Sequence, residues 1–282
     1  MGIDRVKNYY DNQVEHEWIR LDQDYYHKIE FEVTKHFIYK YTSPNSRIID
    51  IGGGPGRYTI DLLENNHCVC LVDLSPQLLD KAKSEIDKRN LSQLLENIFE
   101  RNATNLAQIK SNTYDSTLLM GPLYHLTEYT DRKLALLEAL RVTRPGGYIF
   151  SSIIPKLCPV RDMFRWSLEG ARQSINNENH ELDRILNTCT YLNESNNPNA
   201  FTDASFANTF DMPNLYKELN IELVESFSCE GIAAFQGDKI NALVNNETTW
   251  KNLLQIIIRT ATEPSALGAG EHCVFVGRKK KI

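Results

Sequence analysis

The stretch RIIDIGGGPGRYTIDLL, residues 47–63, runs from an apolar segment through a glycine loop into a helix-like pattern. The apolar start is typical of a short buried strand, and the spacing after the glycines is typical of an amphipathic helix. Such a loop is a common ligand cradle, because its backbone can approach a ligand closely. It suits a dinucleotide, a nucleoside triphosphate or a sulfonium nucleoside, and the residues around the glycines distinguish the three.

Two of these ligands require spacings that the loop lacks. The dinucleotide fingerprint G-x-G-x-x-G, counted from Gly52, places its third glycine where the chain has Arg57. The phosphate-binding P-loop requires G-K-[ST], whereas Gly56 is followed by Arg57 and Tyr58. The spacing is instead D-x-G-x-G-x-G, beginning at Asp50.

The acidic residues favour the third ligand. Asp50 ends the apolar segment just before the glycines, where its carboxylate would repel a pyrophosphate and attract an ammonium group. S-adenosylmethionine carries an α-ammonium and a sulfonium. Asp73 ends the next apolar segment, LVDLS, where it would accept hydrogen bonds from both hydroxyls of an adenosine ribose. NAD enzymes place an acid similarly, so the spacing that starts at Asp50 carries the distinction.

Strand-like and helix-like segments alternate through the first half of the chain. The predicted strands are RIIDIG, CVCLVDL, NIFERNAT, YDSTLLM and YIFSSII. The predicted helices are GRYTIDLLENN, SPQLLDKAKSEIDKRN and DRKLALLEALRVT, the second with Ser75 as N-cap and Pro76 in its first turn. This alternation predicts βαβ units and a parallel sheet with right-handed crossovers.

We expect four parts in the chain. They are an N-terminal helical cap over residues 1–44, an S-adenosylmethionine-binding core over 45–154, a helical substrate lid over 155–212, and the end of the core sheet over 213–282. The lid segment is mostly helical and ends in a polar, loop-like stretch, after which strands resume with IELVESFSCEG and HCVFVGRKK. A late insert would cover the carboxyl ends of the strands, where open α/β sheets bind ligands.

Four motifs in order resemble a known family. IIDIGGGPGRYT, LVDLSPQLLDKAK, YDSTLLMGPLYHL and ALRVTRPGGYIFSS, within about residues 45–155, resemble the successive motifs of class I S-adenosylmethionine-dependent methyltransferases. The flanks resemble members that methylate small molecules. The resemblance implies an α/β, Rossmann-like sheet of seven strands, mostly parallel with an antiparallel last strand, and helices on both faces.

The resemblance also implies roles for residues along the core. Gly52 and Gly54 let the backbone approach the cofactor, Asp50 orients its methionine end, and Asp73 with Leu74 holds the ribose. Asn102 stands where the family often has an acid that accepts from the adenine amino group, and Ala103 offers a backbone N–H. The remaining expected site residues are Met120, which lines the cofactor, and Tyr124 and His125, which face the methyl donor or acceptor.

His125 is the candidate general base, with adenine stacking and plain packing as the alternatives. The resemblance suggests that the aromatic N-terminal segment closes over the cofactor. Tyr10 and Trp18 would then cover the sulfonium by cation–π contact, and Arg20 would pair with the methionine carboxylate. In the insert, Arg161, Phe164, Arg165 and Trp166 recur at helical spacing and are further candidates for the acceptor side.

Composition narrows the partners. The net charge is −6 and the pI about 5.7, which argues against a nucleic-acid partner, and the basic run GRKKKI suits a solvated tail. No apolar stretch is long enough to span a membrane, and the polar start has no signal-peptide core. The six cysteines form no C-x-x-C pair, so we expect reduced thiols, no metal, a cytoplasmic location, and a monomer or homodimer.

The sequence therefore predicts a methyltransferase that acts on a small molecule by in-line displacement, with S-adenosylmethionine as methyl donor. The alternatives are an RNA or protein methyltransferase, or a catalytically silent S-adenosylmethionine-binding regulatory protein. An NAD-dependent oxidoreductase is opposed by Asp50 and Arg57. The acceptor atom is left open.

Overall fold

The computed structural model describes residues 2–165, 167–176 and 181–281. Its strands are β1 (Arg47–Ile51), β2 (Cys68–Asp73), β3 (Leu95–Glu100), β4 (Tyr114–Leu119), β5 (Thr143–Pro155), β6 (Thr190–Tyr191), β7 (Ala204–Ala207), β8 (Ile221–Ser228) and β9 (Cys273–Lys279). The strands run in the order β3-β2-β1-β4-β5-β9-β8, and β7 and β6 extend the far end of β5.

Helices precede, connect and follow these strands. They are α1 (Gly2–Asp11), α2 (Val14–Arg20), α3 (Tyr25–Tyr41), α4 (Arg57–Glu64), α5 (Pro76–Lys88), α6 (Pro122–His125), α7 (Tyr129–Val142), α8 (Cys158–Asp162), α9 (Leu168–Ile175), α10 (Glu181–Thr188), α11 (Asp211–Glu218), α12 (Gly237–Leu243), α13 (Glu247–Thr260) and α14 (Pro264–Leu267). Short 3₁₀ turns occupy Met163–Arg165 and Gly231–Ala233. Among the described helices, none is long and apolar enough to cross a membrane.

Successive residues of the central strands bury on opposite faces of the sheet. On β1, Ile48 packs into the core with α3 and α4, whereas Ile49 packs into the core with α7 and α11. Because side chains alternate across a strand, two such cores require helices on both faces. The predicted doubly covered α/β fold is therefore confirmed.

The direction of the last strand is also confirmed. Strands β1 to β5 pair in parallel, whereas β9 runs antiparallel to both β5 and β8. The predicted seven-stranded core is present, and β6 and β7 add two short strands that the sequence analysis assigned to a helical, loop-rich insert. The added strands arise because β5 extends to Pro155, and Ile154 and Pro155 pair with Phe206 and Ala207 of β7.

Two further features bear on the expected four-part division, which remains a prediction. The end of the chain holds helices α12 to α14 between β8 and β9, where no helix was predicted. The chain order also reverses between β1 and β4, the topological switch point at which open α/β sheets bind ligands. The glycine loop lies directly after β1, and α6 lies after β4, so both reach this point.

Candidate active site

The loop after β1 is shaped by glycines. Gly52 has φ +75°, and a Cβ there would lie 2.5 Å from Cδ of Pro122 at the start of α6. Gly54, at φ +56°, also adopts a left-handed conformation that side chains rarely allow. A Cβ on Gly53 would lie 2.5 Å from both Oδ2 of Asp50 and Cδ1 of Leu71. The loop therefore packs against α6, with only glycine tolerated at its closest approach.

Asp50 is a buried carboxylate that has no cationic partner among the described residues. Its Oδ2 accepts a hydrogen bond from the Thr59 hydroxyl at 2.8 Å. Burial raises the pKa of Asp50 to about 7. Because a positive charge would favour its ionised form, the site suits an ammonium group.

Asp73 is held at the end of β2 by backbone donors. Its Oδ1 accepts from the N–H of Ser75 and its Oδ2 from the N–H of Gly54, both at 2.8 Å. These bonds fix the carboxylate beside the glycine loop. Each oxygen retains a lone pair, so both remain able to accept from a ligand.

These carboxylates lie on one cavity of about 750 Å³. The cavity is lined by the N-terminal helices, the glycine loop, the ends of β2, β4 and β5, the insert, and the segment that enters β9. The predicted site residues on its wall are Tyr10, Arg20, Asp50, Gly52, Gly54, Asp73, Leu74, Asn102, Ala103, Met120, Tyr124 and His125. One cavity thus collects residues that are far apart in the sequence.

Trp18 lies elsewhere. It is not part of the cavity wall, and its ring is faced by Arg57, Lys81 and Arg89, with centroid distances of 4.9, 5.2 and 5.4 Å. We therefore correct the prediction that Trp18 covers the sulfonium, because its ring already packs against cations of the protein. Tyr10 remains at the cavity.

Asn102 is partly engaged by its own loop. Its side-chain oxygen accepts from the backbone N–H of Thr104 at 3.0 Å, whereas its amide NH₂ has no hydrogen-bond partner among the described residues. Ala103 beside it is buried. The expected contact with an adenine amino group would use the second lone pair of the Asn102 oxygen, and it remains a prediction.

Arg20 is half-buried between two carboxylates. Its Nη1 donates to Glu30 Oε2 at 2.7 Å and its Nε to Glu17 Oε2 at 3.2 Å. The burial lowers the pKa of Arg20, but Glu30 and Glu17 outweigh it and raise the value. The guanidinium is therefore charged and held at the cavity wall, and its pairing with a methionine carboxylate remains a prediction.

His125 has both ring nitrogens engaged. A backbone carbonyl can only accept, so Nδ1 donates to the carbonyl of Asp203 at 2.9 Å. Nε2 then accepts from the Tyr10 hydroxyl at 2.7 Å. Burial lowers the pKa of His125 to about 4, so the ring is neutral. To act as a base, His125 would have to lose its hydrogen bond with Tyr10. The observed contacts instead suit a structural link from α6 to α1 and to the residue that precedes β7.

A charged cluster that was not predicted from the sequence surrounds His272, which lines the same cavity beside Glu30. The Nδ1 of His272 lies 2.9 Å from Glu230 Oε1 and 3.8 Å from Glu30 Oε2. Glu271 beside it accepts from Arg165 at 3.1 Å. The signal was present in SCEG and GEHC, which place acids and a histidine at the carboxyl edge where β8 ends and β9 begins. Helices α12 to α14 separate the two segments in the sequence, so their closeness in space could not be predicted from it.

The donor atoms of Glu30, Glu230 and His272 lie within 4.8 Å of one another, a spacing that a cation could also use. Here the imidazole and the two carboxylates are partners of one another. The predicted absence of a metal cofactor remains a prediction.

The insert contributes unevenly. Arg165 lines the cavity, whereas the Phe164 side chain is 75% exposed and Arg161 packs over the Phe235 ring at 4.4 Å. Trp166 lies outside the described residues.

Comparison with known proteins bears on this site. Residues 49–151 match the model of a methyltransferase domain family. An uncharacterized methyltransferase of Schizosaccharomyces pombe is 32% identical over 123 residues, which cover 42% of this chain and 43% of that protein. The tRNA 5-carboxymethoxyuridine methyltransferase of Escherichia coli K12 is 32% identical over 104 residues, which cover 36% of this chain and 38% of that protein. The chain thus matches about two fifths of the length of these relatives.

Solved structures share the fold. A SAM-dependent methyltransferase of Methanosarcina mazei has a TM-score of 0.57 at 15% identity, covering 87% of this chain and 98% of that one. The 1,6-didemethyltoxoflavin-N1-methyltransferase of Burkholderia thailandensis has a TM-score of 0.57 at 13% identity, covering 99% and 88%. The resemblance seen in the motifs is confirmed: residues 49–151 are a methyltransferase domain, and the chain has the class I S-adenosylmethionine-dependent methyltransferase fold.

Proposed function

We propose that this protein transfers the methyl group of S-adenosylmethionine to a small-molecule acceptor. The observation that carries the proposal is the single cavity that joins the D-x-G-x-G-x-G loop, the unpaired buried carboxylate of Asp50 and the carboxylate of Asp73 to a second, polar end. The first end offers what the cofactor requires, and the second offers room for an acceptor.

The cofactor residues have distinct tasks in this proposal. Asp50 binds the α-ammonium, directly or through water, and Asp73 accepts from the ribose hydroxyls. Gly52 and Gly54 admit the methionine portion close to the backbone, and Arg20 meets the α-carboxylate. Leu74, Asn102, Ala103 and Met120 border the nucleoside, with Tyr10 above it.

The chemistry proposed is an in-line displacement. The acceptor attacks the methyl carbon, the carbon–sulfur bond breaks, and its electron pair remains on sulfur as the sulfonium becomes a thioether. The cofactor supplies the activated methyl group. The protein aligns the two reactants and excludes water, which suits a reaction that disperses charge.

The enclosure of the cavity supports a small acceptor. Arg5 on α1 pairs with Asp203 before β7, with Nη2 to Oδ2 at 2.6 Å, and so joins two segments that contribute residues to the cavity wall. Such a cover admits a metabolite more readily than a folded polymer. The acidic net charge of −6 also disfavours a nucleic acid.

One observation favours an RNA acceptor as the second candidate. It is the 32% identity to a tRNA 5-carboxymethoxyuridine methyltransferase over 104 residues. That likeness covers 36% of this chain and 38% of that protein. It therefore leaves most of this chain unmatched and does not by itself decide the acceptor.

The test has two stages. Calorimetry should detect binding of S-adenosylmethionine and S-adenosylhomocysteine and no binding of NAD. The protein and S-adenosylmethionine are then incubated with panels of amines, alcohols, phenols, thiols and carboxylic acids, and separately with bulk tRNA, while S-adenosylhomocysteine is quantified. Turnover with tRNA alone would replace the small-molecule proposal, and tight NAD binding without S-adenosylhomocysteine binding would remove the methyltransferase proposal altogether.

A further inference from the structure

The imidazole of His272 lies at the polar end of the cavity. It precedes β9, whose first residues stand at the carboxyl edge of the sheet because β9 runs antiparallel to β5. Nδ1 is engaged by Glu230, whereas Nε2 has no hydrogen-bond partner among the described residues. His272 lines the cavity with 18% of its side chain exposed, so Nε2 is the nitrogen available to a ligand there.

Glu230 holds this ring in a fixed orientation. Its side chain is 4% exposed, and its Oε2 accepts from the backbone N–H groups of Glu271 and His272 at 2.8 and 2.9 Å. Its Oε1 is thereby aimed at Nδ1 of His272. A carboxylate that fixes one imidazole nitrogen leaves the other as a proton acceptor of defined position.

Tyr124 connects this dyad to the glycine loop. Its ring centroid lies 5.9 Å from that of His272. Its hydroxyl would lie 3.9 Å from a Cβ built on Gly121, and the same Cβ would lie 3.4 Å from the carbonyl oxygen of Gly52. The path from Gly52 through Tyr124 to His272 therefore leads from the proposed methionine site to the dyad.

We propose that His272 is the general base of the methyl transfer, that Glu230 is its positioning residue, and that the acceptor is an amine. The proposal rests on the proposed function. It assigns the proton transfer to His272 in place of His125, whose nitrogens are both occupied by Tyr10 and Asp203.

The protons balance as follows. The acceptor enters as an ammonium ion and gives one proton to Nε2 of neutral His272, while Nδ1–H remains bonded to Glu230. The free amine attacks the methyl carbon, a carbon–nitrogen bond forms, and the carbon–sulfur electron pair stays on sulfur. The products are S-adenosylhomocysteine, the methylated ammonium and the His272 imidazolium, which returns its proton to water.

The charges at this end of the cavity favour a cationic acceptor. Carboxylates of Glu30, Glu230 and Glu271 surround His272, and Arg165 is shared between Glu271 and Asp162. Arg20 pairs with Glu30, but when His272 is in its neutral, proton-accepting form Glu230 has no cationic partner among the described residues, so the cluster is then short of positive charge. An ammonium ion would relieve that shortage, whereas a carboxylate acceptor would be repelled.

The pKa of His272 is close to the pKa of an ammonium ion. Burial lowers its pKa, but the carboxylates of Glu30 and Glu230 outweigh burial and raise it to about 9, against an opposing contribution from Arg20. Ammonium groups in water have pKa values of about 8 to 10. Proton transfer between the two is therefore nearly balanced, and a sulfonium nearby would lower the pKa of His272 further toward the base form.

The first experiment needs no acceptor. S-adenosylmethionine carries a sulfonium methyl that S-adenosylhomocysteine lacks. The number of protons released when each ligand binds is measured by calorimetry in buffers of different ionisation enthalpy, near about pH 8.5, where His272 titrates. S-adenosylmethionine should release more protons than S-adenosylhomocysteine. His272→Gln should abolish the difference, and His36→Gln, at an exposed site on α3, should preserve it.

The outcomes separate the two proposals. If neither ligand binds, the proposed function fails. If both bind with equal proton release, or if His272→Gln keeps the difference, the base assignment to His272 is overturned while the methyltransferase proposal survives.

The second experiment uses whichever amine in the panel reacts. His272→Gln should lower kcat at least about 100-fold, the usual scale for a general base. Glu230→Gln should move the rising limb of the kcat/KM profile to lower pH, by about one unit or more, because it removes a carboxylate that raises the pKa of His272. A merely structural role for Glu230 would lower stability and leave the limb in place.

Two further results would overturn parts of the proposal. Turnover with carboxylic acids but not amines would overturn the acceptor class. Activity that is lost on adding a chelator and restored by a divalent cation would overturn the base role, because the same side chains would then be metal ligands. If Glu230→Gln does not fold, the proton-release comparison with His272→Gln decides the base assignment, and if no amine in the panel reacts, the assignment of an amine acceptor is overturned.

Discussion

Asp50 is the residue at which burial and function oppose each other. Its carboxylate is 1% exposed and bonds the Thr59 hydroxyl, and burial raises its pKa to about 7. Burial of a charge without a cation is costly, and the cost is offset when a ligand supplies the cation. If Asp50 binds the α-ammonium as proposed, cofactor binding will depend on pH.

We predict that affinity for S-adenosylhomocysteine, which carries the same α-ammonium, falls as the pH drops below about 7. The protonated carboxyl of Asp50 must lose its proton before it pairs with the ammonium, so the loss approaches about tenfold per pH unit for one proton. Above about pH 8 the Asp50 carboxyl is already ionised, so the affinity should no longer change with pH because of this group. Calorimetry across this range measures it, and Asp50→Asn should give weak binding with most of the dependence removed. Equal affinity at pH 5.5 and pH 8, roughly one unit or more on either side of the transition, would contradict the assignment.

Asp73 provides the second prediction at this scale. Asp73→Ala should weaken cofactor binding by about 1.5–3 kcal/mol, the scale of hydrogen bonds to a charged group. The matched control is Asp80→Ala, because Asp80 is exposed on the adjacent α5. Unchanged affinity in a folded Asp73→Ala protein would mean that this carboxylate only braces Gly54 and Ser75.

Individual side chains were predictable where a motif fixed them. Asp50, Gly52 and Asp73 follow from spacing, because the glycine loop and strand ends dictate their positions locally. Trp18 and His272 were not predictable, since their neighbours come from distant parts of the chain. The contacts of Trp18 with Arg57 and Arg89, and of His272 with Glu30, depend on how the sheet and α3 are arranged in space.

At the scale of elements, strong local signals predicted the core strands and helices. Helix α5 begins as its sequence indicates, with the Ser75 hydroxyl accepting from the N–H of Leu78 at 3.1 Å and Pro76 in the first turn. Strands β6 and β7 were missed because they have two and four residues, too few for an alternating pattern. Their pairing depends on the protruding end of β5, which is a tertiary feature.

Helices α1 and α2 are held mainly by polar contacts. Val6 is the buried residue of α1, and α2 has none. Their attachments include the pair between Arg5 and Asp203 and the bond from the Ser75 hydroxyl to Asp11. The two helices therefore add little to the core, although they form one wall of the cavity.

We predict that removal of residues 1–20 leaves the sheet folded and abolishes tight cofactor binding. The truncation removes Tyr10 and Arg20 from the cavity but leaves both core clusters largely intact. Circular dichroism and thermal melting report the fold, and calorimetry with S-adenosylhomocysteine reports binding. Full affinity or full turnover in the truncated protein would return these helices to a packing role.

The whole molecule combines a deeply packed sheet with a polar cover. The strands around the switch point bury large apolar side chains on both faces, whereas α1 is joined to residue Asp203 of the insert through Arg5 and to α6 through the contact of Tyr10 with His125. Segments with few buried apolar contacts open at lower free energy than the core of the same fold. An acceptor must enter through such a segment, and the methyl group must then be shielded from water.

We therefore predict that residues 1–25 and part of 155–212 exchange amide hydrogens fast in the free protein and slow when S-adenosylhomocysteine binds. The cofactor would contact Tyr10 and Arg20 on one side of the cavity, so its binding free energy adds to that of the closed cover and lowers the open population. Strands β1 and β4 should exchange slowly in both states, since opening them requires unfolding of the sheet. Arg5→Met should speed exchange in both parts of the cover together, because Arg5 links α1 to the insert through Asp203, whereas Lys28→Met, which removes a surface pair with Asp22, should leave both unchanged. Protection that appears in α1 alone, or an Arg5→Met effect confined to α1, would show that the two segments move independently and do not form a single lid.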